Sequence, residues 1–182
     1  MTREAPSATT APDRHGVSTH GEMLADWVVD LRASLERQLG QTPEAPLHWR
    51  PAREMNSIGD TVWHVSRWLD LITMQLGNGA PETQHWIKDG WADRTGYDPR
   101  GVGTDGLGAI TGYTFAEVDA IPKLGADQLR EYLGSVCEAV IPRLRAADDT
   151  AAQRYKRVVQ GSLGHVGEIA ALRTIHERQA SG

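Results

Sequence analysis

His165 and Glu168 stand three residues apart in the stretch GSLGHVGEIAAL, residues 161–172. On an α-helix, steps of three and four bring Gly161, His165, Glu168, Leu172 and His176 to one side, so imidazole and carboxylate become neighbours. A second histidine, His64, lies far earlier, in VWHVSRWLD. If the two helices face each other, His64, His165 and Glu168 supply two imidazoles and one carboxylate around one point. That set suits zinc, nickel, iron or manganese with positions left open for substrate or water. Bundles with two metals use comparable carboxylate and histidine spacings on facing helices. Without a metal, the same three side chains serve as general acid–base groups. His176 lies ~16 Å along the helix from His165, too far to share an ion, and is better placed to complement a helix C-terminus. His48 and His85 adjoin tryptophans in loops and read as packing or pocket residues. Cys137, set among Val136, Ala139 and Val140, reads as a small buried hydrophobe and has no second cysteine to pair with.

These residues must be carried by helices. Thr19-x-x-Glu22 has capping-box spacing, and Met23, Leu24, Trp27, Val28, Leu31, Leu35 and Leu39 then recur every three or four positions, predicting a first helix that stops at Gly40 and Pro43. Ser57-x-x-Asp60 opens a second, from about Ile58 to Leu76. Its stripe is Ile58, Val62, Val65, Leu69, Ile72 and Leu76, with His64 and Trp68 on the flank. Thr114-x-x-Glu117 predicts a short extra helix before Pro122. A third long helix starts near Asp127, with a kink or early end at Pro142, and the last covers roughly Val158 to Arg178. Between Gly90 and Gly112 lie seven glycines in 23 residues. A loop so long is unusual in a compact fold unless it is functional or disordered, and its flanking aromatics favour a packed loop that covers something. The expected fold is all-α: a four-helix bundle with a glycine-rich loop and a short extra helix between helices two and three.

Composition narrows the function. Residues 1–18, rich in Ala, Pro, Thr and Ser, read as a disordered lead-in to a single domain over 19–180. A net charge of −5 argues against nonspecific nucleic-acid binding, which needs a basic face. No apolar run approaches the ~20 residues that span a bilayer, and no signal-peptide core is evident, so a cytoplasmic protein is expected.

The stretches LHWRPAREMNSIGDTVWHVSRWLD (47–70), GWADRTGYDPRGVG (90–103) and GSLGHVGEIAAL (161–172) resemble the DinB/YfiT-like superfamily, particularly its actinobacterial branch related to mycothiol-dependent enzymes. The resemblance implies a four-helix bundle, often dimeric, so that a homodimer is the assembly it allows. It also implies a divalent metal held by His64 and His165, with mycothiol or a similar thiol as co-substrate bound as thiolate. The glycine-rich loop would close over thiol and electrophile. Trp86, Trp91 and Tyr97 would form apolar walls beside Trp68, and Arg94, Arg100 or Arg67 would hold an acidic group of a small-molecule substrate. This sequence departs from the family pattern at Gly161, where a third histidine is usual. Either Glu168 or water completes the site, or metal binding is weakened or lost. Three functions follow: a metal-dependent thiol transferase or related tailoring enzyme, a metal-free acid–base enzyme, and a non-catalytic small-molecule-binding stress protein.

Overall fold

The computed structural model describes residues 19–77 and 79–181; the expected lead-in, residues 1–18, lies outside them. Four long helices make the bundle: α1 (His20–Gly40), α3 (Ile58–Leu76), α7 (Ala126–Ala146) and α8 (Asp149–Ala180). Each of α1 and α3 packs against both α7 and α8. The one-turn helices α2 (Glu44–Leu47), α4 (His85–Lys88), α5 (Trp91–Thr95) and α6 (Phe115–Asp119) occupy the connections. Among the described residues there is no strand, only an isolated bridge between Val102 and Leu107. No described helix is long and apolar enough to cross a membrane.

Local chemistry sets the ends. The capping boxes at Thr19, Ser57 and Thr114 form as their spacing predicts, each side chain taking the N–H three residues on and receiving the reciprocal bond. The stripe of α1 is buried at Leu24, Val28, Leu31, Leu35 and Leu39, and that of α3 at Ile58, Val62, Val65, Leu69 and Ile72. Burying each such side chain contributes about 1.5–3 kcal/mol.

Two boundaries differ from expectation. Helix α7 continues through Pro142 to Ala146. Pro142 is exposed while Val140 and Leu144 are fully buried, so packing on both sides of the proline holds the helix together where the ring removes one bond. Helix α8 begins at Asp149, well before Val158, because the Asp148 carboxylate accepts from Ala151 N–H at 2.8 Å and caps a first stretch of polar residues.

The glycine-rich connection is packed. Trp86 stacks on Trp91 with ring centroids 5.7 Å apart, and both lie against Tyr132 of α7, at 5.0 and 5.8 Å. Trp63 of α3 meets Trp86 edge-on at 5.6 Å. Gly108 has φ +65°, and a Cβ there would lie 2.2 Å from the Pro99 carbonyl oxygen, so only glycine fits. Ile110, two residues on, holds φ at +67° despite its branched side chain. That is a strained backbone sustained by its surroundings.

Candidate functional site

The seam between α3 and α8 brings the two histidines together. The rings of His64 and His165 stand edge to face, 5.0 Å between centroids. His165 Nδ1 lies 2.6 Å from Glu168 Oε2, and His64 Nδ1 lies 2.5 Å from the Ala109 carbonyl oxygen. Carbonyl and carboxylate oxygens only accept, so each Nδ1 carries a proton, and in the neutral ring Nε2 keeps its lone pair. Burial, the largest effect, pushes the His64 pKa down to about 4 against the opposing bond to Ala109. The bond from His165 holds the Glu168 carboxyl below its ordinary value. His64 is thus neutral at physiological pH, and His165 is oriented by an ionised carboxylate.

A cavity of about 240 Å³ opens beside this pair, lined by His64, Trp68, Arg157, Val158, Gly161 and His165. At Gly161, one turn before His165, no atom lies within 4 Å of where a Cβ would stand. The missing side chain therefore leaves open space facing the histidines.

A fully buried polar network fixes the loop over the site. Arg67, 0% exposed, donates from Nε to the Gly108 carbonyl at 3.0 Å, from Nη1 to Asp70 at 2.9 Å and from Nη2 to Gln84 at 2.6 Å. Asp70 also accepts from Tyr132 Oη at 2.8 Å, from His85 N–H at 2.7 Å and from Trp86 N–H at 3.0 Å. Burial disfavours the Arg67 charge, but Tyr132 and Asp70 outweigh it and raise its pKa further. Arg67 and His64, one turn apart on α3, thereby grip two successive carbonyls of the connection, Gly108 and Ala109.

Several residues expected at a substrate are placed elsewhere. Arg67 has no exposed surface and every nitrogen is engaged, so it holds the loop and meets no solute. Trp86 and Trp91 belong to the core, at 0% and 1% exposure, and form no pocket wall. Arg94 lies over the Trp91 ring and pairs with Glu131 on the surface. Arg100 pairs with Asp98, and half-buried Tyr97 takes the Trp86 Nε1–H on its carbonyl. Of the aromatic and arginine candidates, Trp68 alone lines the cavity. His176 packs edge-on against Trp49 at 5.1 Å, and buried His85 bonds Asp89 at 2.8 Å. Cys137 is buried, and burial pushes its thiol up to about 12, far from a reactive thiolate. Arg157 and Val158 join the site unforeseen. They lie eight and seven residues before His165, two turns back on the same face, a signal the sequence holds once α8 is known to begin at Asp149.

The family model described as the DinB superfamily matches residues 28–179. The chain belongs to the DinB superfamily. The match spans α3 to α8 and all but the first turns of α1, so both histidines fall inside the shared fold. No curated protein matches the chain.

The donor set of this DinB-superfamily chain falls short of a metal centre. Catalytic zinc sites draw on three protein ligands. Here two imidazoles stand edge to face, the Glu168 carboxylate is engaged with His165 Nδ1, and Gly161 contributes no side chain. No group of three or more His, Cys, Asp or Glu side chains among the described residues is placed to hold an ion.

Proposed function

We propose that this chain is a small-molecule-modifying enzyme that activates a low-molecular-weight thiol of the mycothiol class by base catalysis, without a resident metal. The observation that carries the reading is the His165–Glu168 pair at 2.6 Å, beside neutral His64 at the cavity that both histidines line. A carboxylate on Nδ1 fixes the imidazole tautomer and stabilises the imidazolium that forms when Nε2 takes a proton. His165 Nε2 therefore removes the thiol proton. The thiolate forms a carbon–sulfur bond to an electrophile held in the cavity as the leaving group (chloride, for chlorodinitrobenzene) departs with the electron pair of the broken bond. His64 stays uncharged at any physiological pH, so it accepts a hydrogen bond at Nε2 without opposing the new charge on His165. The resemblance to the mycothiol-related branch supports the choice of thiol, and membership of the superfamily supports the choice of site.

Conjugation of mycothiol to chlorodinitrobenzene tests the reading. The enzyme is expected to accelerate it, His165→Ala to lower the rate by about 10²-fold or more, and Glu168→Gln to lower it by less. A chelator is expected to leave the rate unchanged. Loss of activity to chelator, with recovery on adding zinc or nickel, would instead favour a metal-held thiolate and overturn the proposal.

A further inference from the structure

The cavity at the histidines adjoins a larger one. A second cavity of about 490 Å³ runs along the same α3–α8 seam and shares Trp68 and Val158 with the first. Its floor is apolar, built from Trp68, Leu71, Ile72 and Val158, and Arg154 stands in its wall. Arg154 and Arg157 occupy adjacent turns of one face of α8. Neither has an ion-pair or hydrogen-bond partner among the described residues, and no carboxylate lines either cavity. From Arg154 to His165 the helix rises ~16 Å.

We infer that this seam is the substrate channel of the His64–His165 site, and that it takes an elongated apolar molecule ending in a carboxylate. The apolar body lies on Trp68, Leu71, Ile72 and Val158, the carboxylate pairs with Arg154, and the other end reaches the histidines. Charge complementarity chooses this occupant. An apolar floor removes hydrocarbon from water, while two unpaired guanidiniums, with no carboxylate in the lining of either cavity, offer forked donors to a carboxylate. A cationic amphiphile would meet only like charge there. Arg157, in the wall of the smaller cavity, adds a second positive group along the path.

The inference rests on the proposed site as the reacting end, and binding is therefore measured apart from turnover. Titration calorimetry of the full chain with decanoate, and in parallel with decanol, reads the channel directly. Decanoate is expected to bind and decanol to bind at least about ten-fold more weakly, since a hydrogen bond to a charged group is lost. Arg154→Gln, an exposed substitution that leaves the core intact, is expected to weaken decanoate about ten-fold, and Arg157→Gln to weaken it less. His165→Ala is expected to retain decanoate binding, so failure of the acid–base reading leaves this result standing. No decanoate binding by folded wild-type protein, equal affinity for decanol, or affinity unmoved by Arg154→Gln would each overturn the assignment.

Discussion

Burial at the α3–α8 seam sets how His64 responds to acid. Its pKa lies at about 4 when folded, against 6.5 for a free imidazole. Above pH 6.5 neither state holds the proton, and that part of the stability is complete. As pH falls from 6.5 toward 4 the unfolded chain takes up a proton that the folded chain refuses, so stability falls through that window, by on the order of 3 kcal/mol. Glu168, held below its ordinary value by the hydrogen bond from His165, extends the loss at the acid end, because a protonated carboxyl accepts that bond more weakly. Urea denaturation at stepped pH should show this slope in the wild type and a shallower one in His64→Gln. Gly161 gives the opposite kind of test, a gain. A histidine there would project from the turn before His165 on the same face, into open space. Gly161→His is expected to tighten nickel or zinc binding at least about ten-fold over wild type in calorimetry. No gain would mean that the three imidazoles do not converge.

Helix α3 carries the site because it grips the glycine-rich connection at Gly108 and Ala109. Removing the Arg67 guanidinium leaves Asp70 charged and buried without its partner, which typically costs about 3–5 kcal/mol. Arg67→Met should lose stability of that size and raise hydrogen exchange at residues 108–110, while adding Asp70→Leu should recover part of the loss. Intact exchange protection in the single variant would show that the loop is held by other contacts. This network also marks where sequence reading stops. The capping residues Thr19, Ser57 and Thr114 act through neighbours three positions away, so their spacing alone locates three helix starts. Arg67 looks like a surface charge because arginines are almost never fully buried unless paired, and its partners Gln84, Gly108 and Tyr132 are distant in the chain. The first turns of α8 are polar and lack an apolar stripe, which hides both their helicity and the place of Arg157 at the cavity. His165 and Glu168 announce themselves by spacing, whereas the approach of His64 depends on how α3 and α8 cross.

At the scale of the whole molecule, the connection and the bundle share one core. Trp86 and Trp91 come from the connection, Trp63 from α3 and Tyr132 from α7, yet their rings touch and all are essentially inaccessible. A loop held only by surface bonds would open on its own, since segments with few buried apolar contacts sit at the low-stability end. A loop whose tryptophans complete the core cannot leave without exposing Tyr132 and Trp63. Loop and bundle should therefore unfold together. Urea transitions followed by tryptophan fluorescence, which reports the aromatic cluster, and by far-ultraviolet circular dichroism, which reports the helices, should share one midpoint. Trp86→Ala should lower the stability by about 3–5 kcal/mol while keeping the two midpoints coincident. An earlier fluorescence transition in the wild type would mean that the connection detaches first. The Ala109 carbonyl that orients His64 would then be lost before the helix that carries it.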